Sequence, residues 1–397
     1  MPISQEGALK VKVQKFGGSS LSSLKHIRRC VSIVERAVSE GFSVVVVVSA
    51  MGSYTDSLVD YIEAFDVQDN DSSDVVLSAG EQVSCGLFTL ALGEIGIKAI
   101  SLMGWQLPIE TDGFHSKARI RSVCVEKILD YINQKYVVVV AGFQGVYLGR
   151  LTTLGRGGSD ITATALAKSL NAISCEIYTD VEGVFSTDPR AHAKEAEHLP
   201  QIGYSQLLEM SLKEKVLHSR ALDIARKGVS NILIKSSFEP STSVQTKIVD
   251  NIEELQIFGL TFSEERVMID AEKQCLLTFL EQSLIEVESI SVIGSNASAI
   301  LEVSEYRKID LPAGFKCTPN LTLITIVGSS FLTEFENLNK VLGVLESADV
   351  KYLITTEIKI VIGLPDESFV HVKKNIINTL RQISYSNTEF TQIENVS

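Results

Sequence analysis

Short β-branched runs alternate with segments of helical periodicity through the first 240 residues of the chain. The runs predict strands over residues 44–48, 137–140, 173–178 and 232–234. Apolar residues at three- and four-residue spacings predict helices over residues 24–39, 84–92, 122–134 and 162–170. Strands that are buried on both faces and joined by helical crossovers form parallel sheets. We therefore predict an α/β sandwich with a largely parallel sheet.

The pattern changes after Phe238, where a segment rich in Ser and Thr has no apolar periodicity until Ile252. This composition predicts a linker over residues 241–255, between a domain at 1–240 and a region at 256–397. Two similar α+β units are predicted beyond the linker, at about 256–310 and 318–390, with strands at 267–269, 288–293, 299–303, 321–327, 350–354 and 359–362 and helices at 274–285, 335–347 and 370–383. The alternative is one small α+β domain.

Composition narrows the classes of protein that the chain can belong to. At 397 residues it exceeds the usual size of one hydrophobic core, so two or three domains are expected. The net charge is −13 and no basic stripe interrupts it, which argues against nucleic acid and anionic membranes as partners. No apolar leader and no run long enough to span a bilayer stands out, so we expect a soluble, unexported, cytoplasmic protein.

Six cysteines are scattered along the chain without CxxC spacing. Most of them lie in apolar periodic segments. This distribution predicts buried free thiols rather than a disulfide framework or a zinc site.

Two glycine-rich segments carry the candidate chemistry. KFGGSS at 15–20 follows a short apolar run and precedes a helical pattern, and TTLGRGGSD at 152–160 adds Arg156 and Asp160 to three glycines. Glycines let the backbone approach an anion closely, and a strand, a glycine loop and a helix N-terminus in this order favour phosphate binding. Neither segment matches GxxxxGK[ST] or GxGxxG, so each on its own could be an ordinary tight turn.

Several polar residues fit phosphoryl transfer to an amino acid, although each has a simpler explanation. The Lys15 ammonium can neutralise phosphate charge, or it can be a solvated surface lysine. Arg156 and Glu81 offer a cation and an anion for an amino acid, but Glu81 also suits the first turn of a helix. Asp160 could be only a helix N-cap. Thr179 and Asp180 follow a predicted strand, where they could meet ribose, phosphate or Mg²⁺.

Seven strings occur in the order in which the aspartate kinases, a branch of the amino acid kinase family, carry them. They are KFGGSS at 15–20, VVVVVSAMGSYTD at 44–56, LSAGEQVS at 77–84, GWQ at 104–106, AGFQG at 141–145, TTLGRGGSD at 152–160 and YTDVEGVFSTDPR at 178–190. The chain resembles this family strongly over residues 10–240. The resemblance implies an amino acid kinase-type three-layer α/β sandwich, followed by ACT-like (ferredoxin-like) regulatory modules.

The resemblance also implies roles for individual residues. It places Lys15 at the transferred phosphoryl group and makes Asp160 catalytic, organising donors around that group through Lys15. The positions that match those around aspartate in the family are Thr55, Glu81, Arg156, Gly158 and Ser159. The positions that match nucleotide contacts are Lys15, Phe16, Gly17, Gly18, Ser49, Thr179, Asp180, Phe185, Arg190 and Lys215. Ser219 stands where relatives usually have the proline of KVLHP.

The implied reaction is attack of the β-carboxylate of L-aspartate on the γ-phosphoryl group of ATP, with Mg²⁺ carried by ATP. The product is 4-phospho-L-aspartate, from which the family supplies lysine, threonine and methionine synthesis. The attacking carboxylate is already ionised at neutral pH, so no general base is needed. Two alternatives stay open: an amino acid kinase for glutamate, acetylglutamate or carbamate, and a degenerate kinase that acts as a regulatory subunit.

Residues after 255 resemble ACT modules in pattern only, which implies a homodimer or higher oligomer and a lysine or threonine effector. Family members bind these effectors with a Pro-Gly loop after the first strand of a module. Here DAEKQCLL at 270–277 has neither residue, and GSSFLTEFENL at 328–338 has Gly328 but no proline. We therefore expect an altered or lost effector site and hypothesise insensitivity to lysine.

Overall fold

The structure is a computed structural model that describes residues 9–67, 69–186, 196–208, 217–238, 244–250, 257–283, 285–328, 335–356 and 358–393. The chain forms two compact units, one of Met1–Val184 with His198–Asn251 and one of Phe185–Glu197 with Ile252–Ser397. The predicted linker lies largely outside the described residues, so the boundaries at 240 and 255 stay a prediction.

Fourteen strands are described up to residue 250. They are β1 (Val11–Phe16), β2 (Ser43–Val48), β3 (Ala99–Leu102), β4 (Ile109–Thr111), β5 (Ile120–Val123), β6 (Val137–Ala141), β7 (Gln144–Tyr147), β8 (Arg150–Thr153), β9 (Ser174–Thr179), β10 (Val184–Phe185), β11 (His198–Leu199), β12 (Gln201–Gly203), β13 (Ile232–Ser236) and β14 (Gln245–Val249). The main sheet has the order β12-β14-β13-β9-β1-β2-β6-β3, and only β13 and β14 pair antiparallel. The predicted, largely parallel sheet is confirmed.

Within the described residues, six complete α-helices and one short 3-10 helix accompany these strands, and residues 204–208 are helical as well. The complete elements are the 3-10 helix Ser19–Leu21 and the helices α1 (Leu24–Ser39), α2 (Tyr54–Glu63), α3 (Asn70–Glu94), α4 (Glu126–Asn133), α5 (Gly158–Ser169) and α6 (Ser219–Arg226). Helices α1 and α3 share a core with one face of the sheet, where Phe16 stacks on Phe88 and Tyr178 at ring-centroid distances of 5.4 and 4.9 Å. Helix α5 packs against β1, β2 and β9, with α6 beside it. The three-layer arrangement is the predicted one.

Two predicted helices are wrong in extent. Helix α3 begins at Asn70 rather than at residue 84, because Asp69 caps it by accepting from the backbone N–H groups of Asp71 and Ser72. Its first half buries polar residues such as Asp74 and Ser78, which hides the apolar periodicity. The predicted helix 122–134 covers a strand, β5, and only then α4.

Among the described residues, α3 alone is long and apolar enough to cross a membrane by length and composition. However, it packs against α1, β3 and β6, and its Asp74 and Glu81 are buried. Core helices of soluble domains have the same length and composition, so α3 is weak evidence for a membrane span. It also packs against β8 of the smaller sheet β5-β4-β7-β8.

Three of the six cysteines do not fit the prediction of buried thiols. Cys30, Cys85 and Cys175 are buried and free, whereas the other free thiols, Cys124, Cys275 and Cys317, are exposed. Burial raises the pKa of the Cys30 and Cys85 thiols to about 12. Cys124 follows β5, Cys275 lies in the first turn of the helix Lys273–Ser283, and Cys317 lies in the strand Lys316–Gly328. An apolar sequence pattern therefore does not guarantee that a thiol is buried.

The second unit contains one antiparallel sheet in the order β16-β17-β15-β18-β20-β19. Its strands are β15 (Ile257–Glu272), β16 (Ser289–Ile293), β17 (Asn296–Glu302), β18 (Lys316–Gly328), β19 (Tyr352–Thr355) and β20 (Lys359–Pro365). Its helices are α7 (Lys273–Ser283), α8 (Val303–Tyr306), α9 (Phe335–Gly343) and α10 (Asp366–Ile393).

Both predicted α+β units share the two long strands β15 and β18. The second half of β15 pairs with β17 and forms a core with α7, while β20, α9 and α10 form another core around the second half of β18. The predicted strands 267–269 and 321–327 are therefore too short. Polar residues at 263–265 interrupt the apolar pattern of β15 where its pairing with β18 shifts register. Whether the halves are two separate modules stays a prediction.

The edges of this sheet approach each other. Ser289 of β16 and Tyr352 of β19 are hydrogen-bonded through their hydroxyl groups at 2.7 Å, although four strands lie between β16 and β19. The sheet is therefore strongly curled. Its inner face buries a small apolar cluster that includes Met268, Ile300 and Leu323.

Candidate active site

The glycine loops lie at the carboxyl edge of the parallel sheet, where ligand sites of open α/β sheets form. Backbone hydrogen bonds connect the ends of neighbouring strands there: Gly17 donates to the carbonyl of Tyr178 at 3.2 Å, Ser49 to Phe16 at 3.1 Å, and Gly142 to Val48 at 3.0 Å. The ends of β1, β2, β6 and β9 therefore form one continuous edge.

A side chain at Gly18 would crowd the loop after β2, which approaches it closely. A Cβ atom on Gly18 would lie 3.1 Å from the carbonyl oxygens of both Ala50 and Gly52. Gly52 also donates its N–H to the Gly18 carbonyl at 3.0 Å. The KFGGSS loop and the loop that follows β2 are thus packed backbone against backbone.

Lys15 and Asp160 form an ion pair at this edge. The Lys15 Nζ atom lies 2.6 Å from Oδ1 of Asp160, and each side chain is 12% exposed. Lys15 is not a surface lysine. Asp160 lies in the first turn of α5, whose N-cap residue is Gly157, so the alternative that Asp160 is only an N-cap is wrong. A carboxylate in the first turn is also favoured by the helix dipole.

Glu81 approaches the same edge from the opposite face of the sheet. It lies in the interior of α3, not at a helix start as the sequence pattern indicated, and it is 4% exposed. Its Oε1 atom accepts the N–H of Ala50 at 2.9 Å, whereas Oε2 has no hydrogen-bond partner within the described residues. Burial raises the pKa of Glu81 to about 7, against the opposing effects of the Ala50 N–H and the Lys15 charge. A buried carboxylate oxygen without a hydrogen-bond partner suits a cationic group of a ligand.

Arg156 lies on a tight turn, residues 154–158, whose glycines are required by its geometry. Gly155 and Gly157 have φ angles of +75° and +69°, and a Cβ atom on Gly157 would lie 2.2 Å from Cβ of His218. The Arg156 side chain is exposed. Gly158 and Ser159 follow at the buried start of α5, and a Cβ atom on Gly142 would lie 2.7 Å from Oγ of Ser159. The turn therefore places Arg156 beside the N-terminus of α5, whose first N–H groups suit an anion.

Some of the other predicted site residues lie at this edge of the sheet and others do not. Thr55 is the second residue of α2 and is half-buried. At the end of β9 the Thr179 hydroxyl donates to Oδ1 of Asp180 at 3.0 Å. Phe185 is the first residue of the second unit, and Arg190 and Lys215 lie outside the described residues. The Phe16 ring is in the hydrophobic core, so only its backbone is available to a ligand.

Sequence reasoning missed His218, which lies behind the turn that carries Arg156. Its Nδ1 atom accepts the backbone N–H of Arg220 at 3.3 Å and so caps α6. Partial burial lowers the pKa of His218, Arg220 and Arg156 lower it further, and Asp160 opposes them. His218 thus has charged groups of the site around it. Within residues 215–219, Lys215 and Ser219 stood out from the sequence but His218 did not.

Comparisons with known proteins show which proteins the chain resembles. Residues 10–236 match the model of the amino acid kinase family. An aspartokinase of Geobacillus stearothermophilus is 37% identical over 373 residues, which span 88% of this chain and 91% of the relative.

Solved structures share the fold. Aspartokinase III of E. coli in complex with aspartate and ADP superposes with a TM-score of 0.76 at 21% identity, over 93% of this chain and 99% of that one. The same E. coli enzyme in complex with lysine and aspartate gives a TM-score of 0.74 at 21% identity, over 94% and 99%. At this identity the likeness shows the fold alone.

Proposed function

The chain belongs to the aspartokinases, a branch of the amino acid kinase family, and we propose that the edge formed by Lys15, Asp160 and Glu81 is where it phosphorylates L-aspartate. The reaction is the ATP-dependent conversion of L-aspartate to 4-phospho-L-aspartate. The observation that carries the assignment of the site is the 2.6 Å ion pair between Lys15 and Asp160, where the two glycine loops meet.

Lys15 is the cation at the transferred phosphoryl group. Phosphoryl transfer needs positioned charge rather than covalent chemistry, because negative charge spreads over the equatorial oxygens as the bonds change. The ammonium group is held by Asp160, which fixes its place at the end of β1. The N–H groups at the start of α5 and that of Gly18 supply further donors. Asp160 acts by orienting Lys15.

Aspartate is held through both of its α-substituents. The free Oε2 of Glu81 suits the α-ammonium, and the exposed guanidinium of Arg156 suits the α-carboxylate as a planar fork of donors. Thr55, Gly158 and Ser159 complete the surroundings of the substrate. The β-carboxylate is then free to attack the γ-phosphoryl group.

The nucleotide lies along the edge from Gly17 and Ser49 to Thr179 and Asp180. The contacts that the family resemblance implies at Phe185, Arg190 and Lys215 stay predictions. Mg²⁺ carried by ATP would neutralise charge on the phosphates, and Asp180 is the residue here that would hold it. The carboxylate of Asp180 is exposed at the end of β9, and carboxylate oxygens suit this ion. The enzyme serves the synthesis of amino acids derived from aspartate, in the cytoplasm, as a homodimer built on the second unit.

The proposal is tested by acyl phosphate formation, trapped as the hydroxamate, from ATP with L-aspartate, L-glutamate or N-acetylglutamate. We expect turnover with aspartate only, and loss of turnover when Mg²⁺ is removed by a chelator. Turnover with another acceptor would assign the chain to a different specificity. No turnover from folded protein that binds ATP would favour the regulatory subunit.

Lysine is expected to inhibit this enzyme weakly or not at all. Aspartokinase III of E. coli forms a complex with lysine, so a relative has a lysine site. Here β15 ends at Glu272 and α7 begins at Lys273, which leaves no loop between the first strand and its helix to close over an effector. At millimolar lysine we expect a rate change below roughly twofold, well under the 5- to 150-fold range typical of allosteric coupling.

The measurement is the initial rate with lysine, with threonine and with both together. Threonine alone serves as the comparison for a nonspecific amino acid effect. Strong inhibition by lysine would show that an effector site forms without the missing loop, and the hypothesis of insensitivity would be wrong.

A further inference from the structure

Residues 113–118 lie against the turn that carries Arg156, and the two segments touch through their backbones. Ala118 donates its N–H to the Thr153 carbonyl at 2.9 Å. A Cβ atom on Gly155 would lie 2.9 Å from the carbonyl oxygen of Ser116. The position of the turn therefore depends on where residues 113–118 are held.

Asp74 holds both segments from one side with a single carboxylate. It is fully buried on α3 and accepts the backbone N–H of Ser116 at 3.1 Å and the hydroxyl of Thr153 at 2.5 Å. Nδ1 of His115 lies 2.8 Å from its other oxygen. Ser116 has a φ of +66°, a conformation that a non-glycine residue adopts at a cost. The carboxylate thus fixes a strained segment and the last residue of β8 together.

Arg220 holds the same two segments from the other side with a single guanidinium group. Its Nη1 donates to the carbonyl of Leu154 at 2.5 Å, and its Nη2 donates to the carbonyl of Ala118 at 2.6 Å. The Asp74 carboxylate therefore binds hydrogen-bond donors of both segments, and the Arg220 guanidinium binds acceptors of both. A planar guanidinium can bridge two carbonyls in fixed geometry, whereas a lysine ammonium cannot reproduce that fork.

We propose that Asp74 and Arg220 are positioning residues that clamp the Arg156 turn at the distance from Glu81 that fits aspartate. Asp74 and Glu81 lie on the same helix, seven residues or two turns apart, so one rigid element sets both ends of the amino acid site. The clamp is needed because two left-handed glycines make the turn intrinsically soft. This inference rests on the proposed binding of the aspartate carboxylate by Arg156.

The test compares Asp74→Asn and Arg220→Lys with the wild-type enzyme. Asp74→Asn removes the negative charge, and Arg220→Lys removes the planar fork of donors. Each replacement is close in size to the original side chain. We expect KM for aspartate to rise at least about tenfold while KM for ATP stays within about twofold, since displacement of a positioning group by about 1 Å can cost 10²-fold. The inhibition constant of L-glutamate should rise less than KM for aspartate. A displaced Arg156 turn no longer favours an amino acid of the length of aspartate over the longer glutamate.

Matched controls are available on the same two helices. Asp71→Asn changes a carboxylate one turn earlier on α3, where it pairs with Arg150 at the surface. Arg226→Lys changes an exposed arginine at the end of α6. Both should leave both KM values unchanged.

Two outcomes would overturn the clamp. One is an unchanged KM for aspartate in folded Asp74→Asn and Arg220→Lys. The other is a lower melting temperature with equal changes in both KM values, which would be a general structural effect. Arg156→Gln, measured alongside, separates the two proposals: if it raises KM for aspartate and the clamp variants do not, only the clamp is wrong. If Arg156→Gln leaves KM unchanged, the role assigned to Arg156 is wrong.

Discussion

Replacing Lys15 by methionine is expected to lower kcat by about 10³-fold, with much smaller changes in both KM values. Removal of one preorganised donor to a developing charge costs about 10²–10³-fold in other enzymes, and Lys15 brings a full charge in addition. Its side chain is 12% exposed, so water cannot replace the ammonium group efficiently. The measurement is kcat in the hydroxamate assay at saturating ATP and aspartate.

The same substitution leaves Asp160 without its partner, which can destabilise the protein. The double variant Lys15→Met, Asp160→Asn removes both charges and should recover the melting temperature but not kcat. Lys10→Met, at an exposed position just before β1, should behave as wild type. A kcat within about tenfold of wild type in folded Lys15→Met would exclude Lys15 from the reaction.

Glu81→Gln is expected to lower kcat/KM for aspartate by about 10³-fold, because loss of a buried partner of a charge costs 2–5 kcal/mol or more. The burial that raises the pKa of Glu81 to about 7 also predicts the pH profile. Only the ionised form pairs with the α-ammonium, so in wild type kcat/KM falls about tenfold per unit below pH 7. Glutamine does not titrate, so this acidic limb should disappear in the variant.

The same pKa predicts that Glu81→Gln stabilises the fold. The unfolded chain ionises Glu81 near its ordinary value of 4.5, while the folded chain holds the proton until about pH 7. Between these values the folded chain binds more protons, so wild-type stability falls as the pH rises through this window and levels off above it. The variant should therefore be more stable by about 3 kcal/mol above pH 7 and by little near pH 4.5.

Urea unfolding at several pH values measures this difference, with the exposed Glu94→Gln as the control. Equal unfolding free energies for wild type and Glu81→Gln at pH 8 would show that Glu81 is solvated in the native state. An unchanged kcat/KM would place the substrate ammonium elsewhere. Stability and binding together thus distinguish a functional carboxylate from a structural one.

The sequence was most informative where its pattern reflected burial on both faces. The runs 44–48 and 137–140 are fully buried strands, so a continuous β-branched run could be interpreted without the tertiary structure. The full length of helix α3 could not be predicted from the sequence, because tertiary contacts bury its polar first half. The full lengths of the strands β15 and β18 were not predicted, since a register shift breaks the alternation on which strand prediction depends.

In the site, glycine strings located the loops but not the groups that hold them. The partners of Asp74 lie 41, 42 and 79 residues away, and those of Arg220 lie 66 and 102 residues away. Three of the five are backbone groups, which every residue type has, so a single sequence cannot reveal them. Asp74 and Arg220 could be recognised only after the chain was folded.

The shared strands of the second unit also affect how the chain is made. The first half of β15 pairs with the end of β18, from Ile257 opposite Gly328, so its partner is translated some 70 residues later. At elongation rates of about 5–20 residues per second, this delay is roughly 4–14 seconds. During that time the nascent chain exposes an unpaired β edge that neighbouring polysome products could join. Slowing translation between residues 272 and 316 should therefore lower the soluble yield.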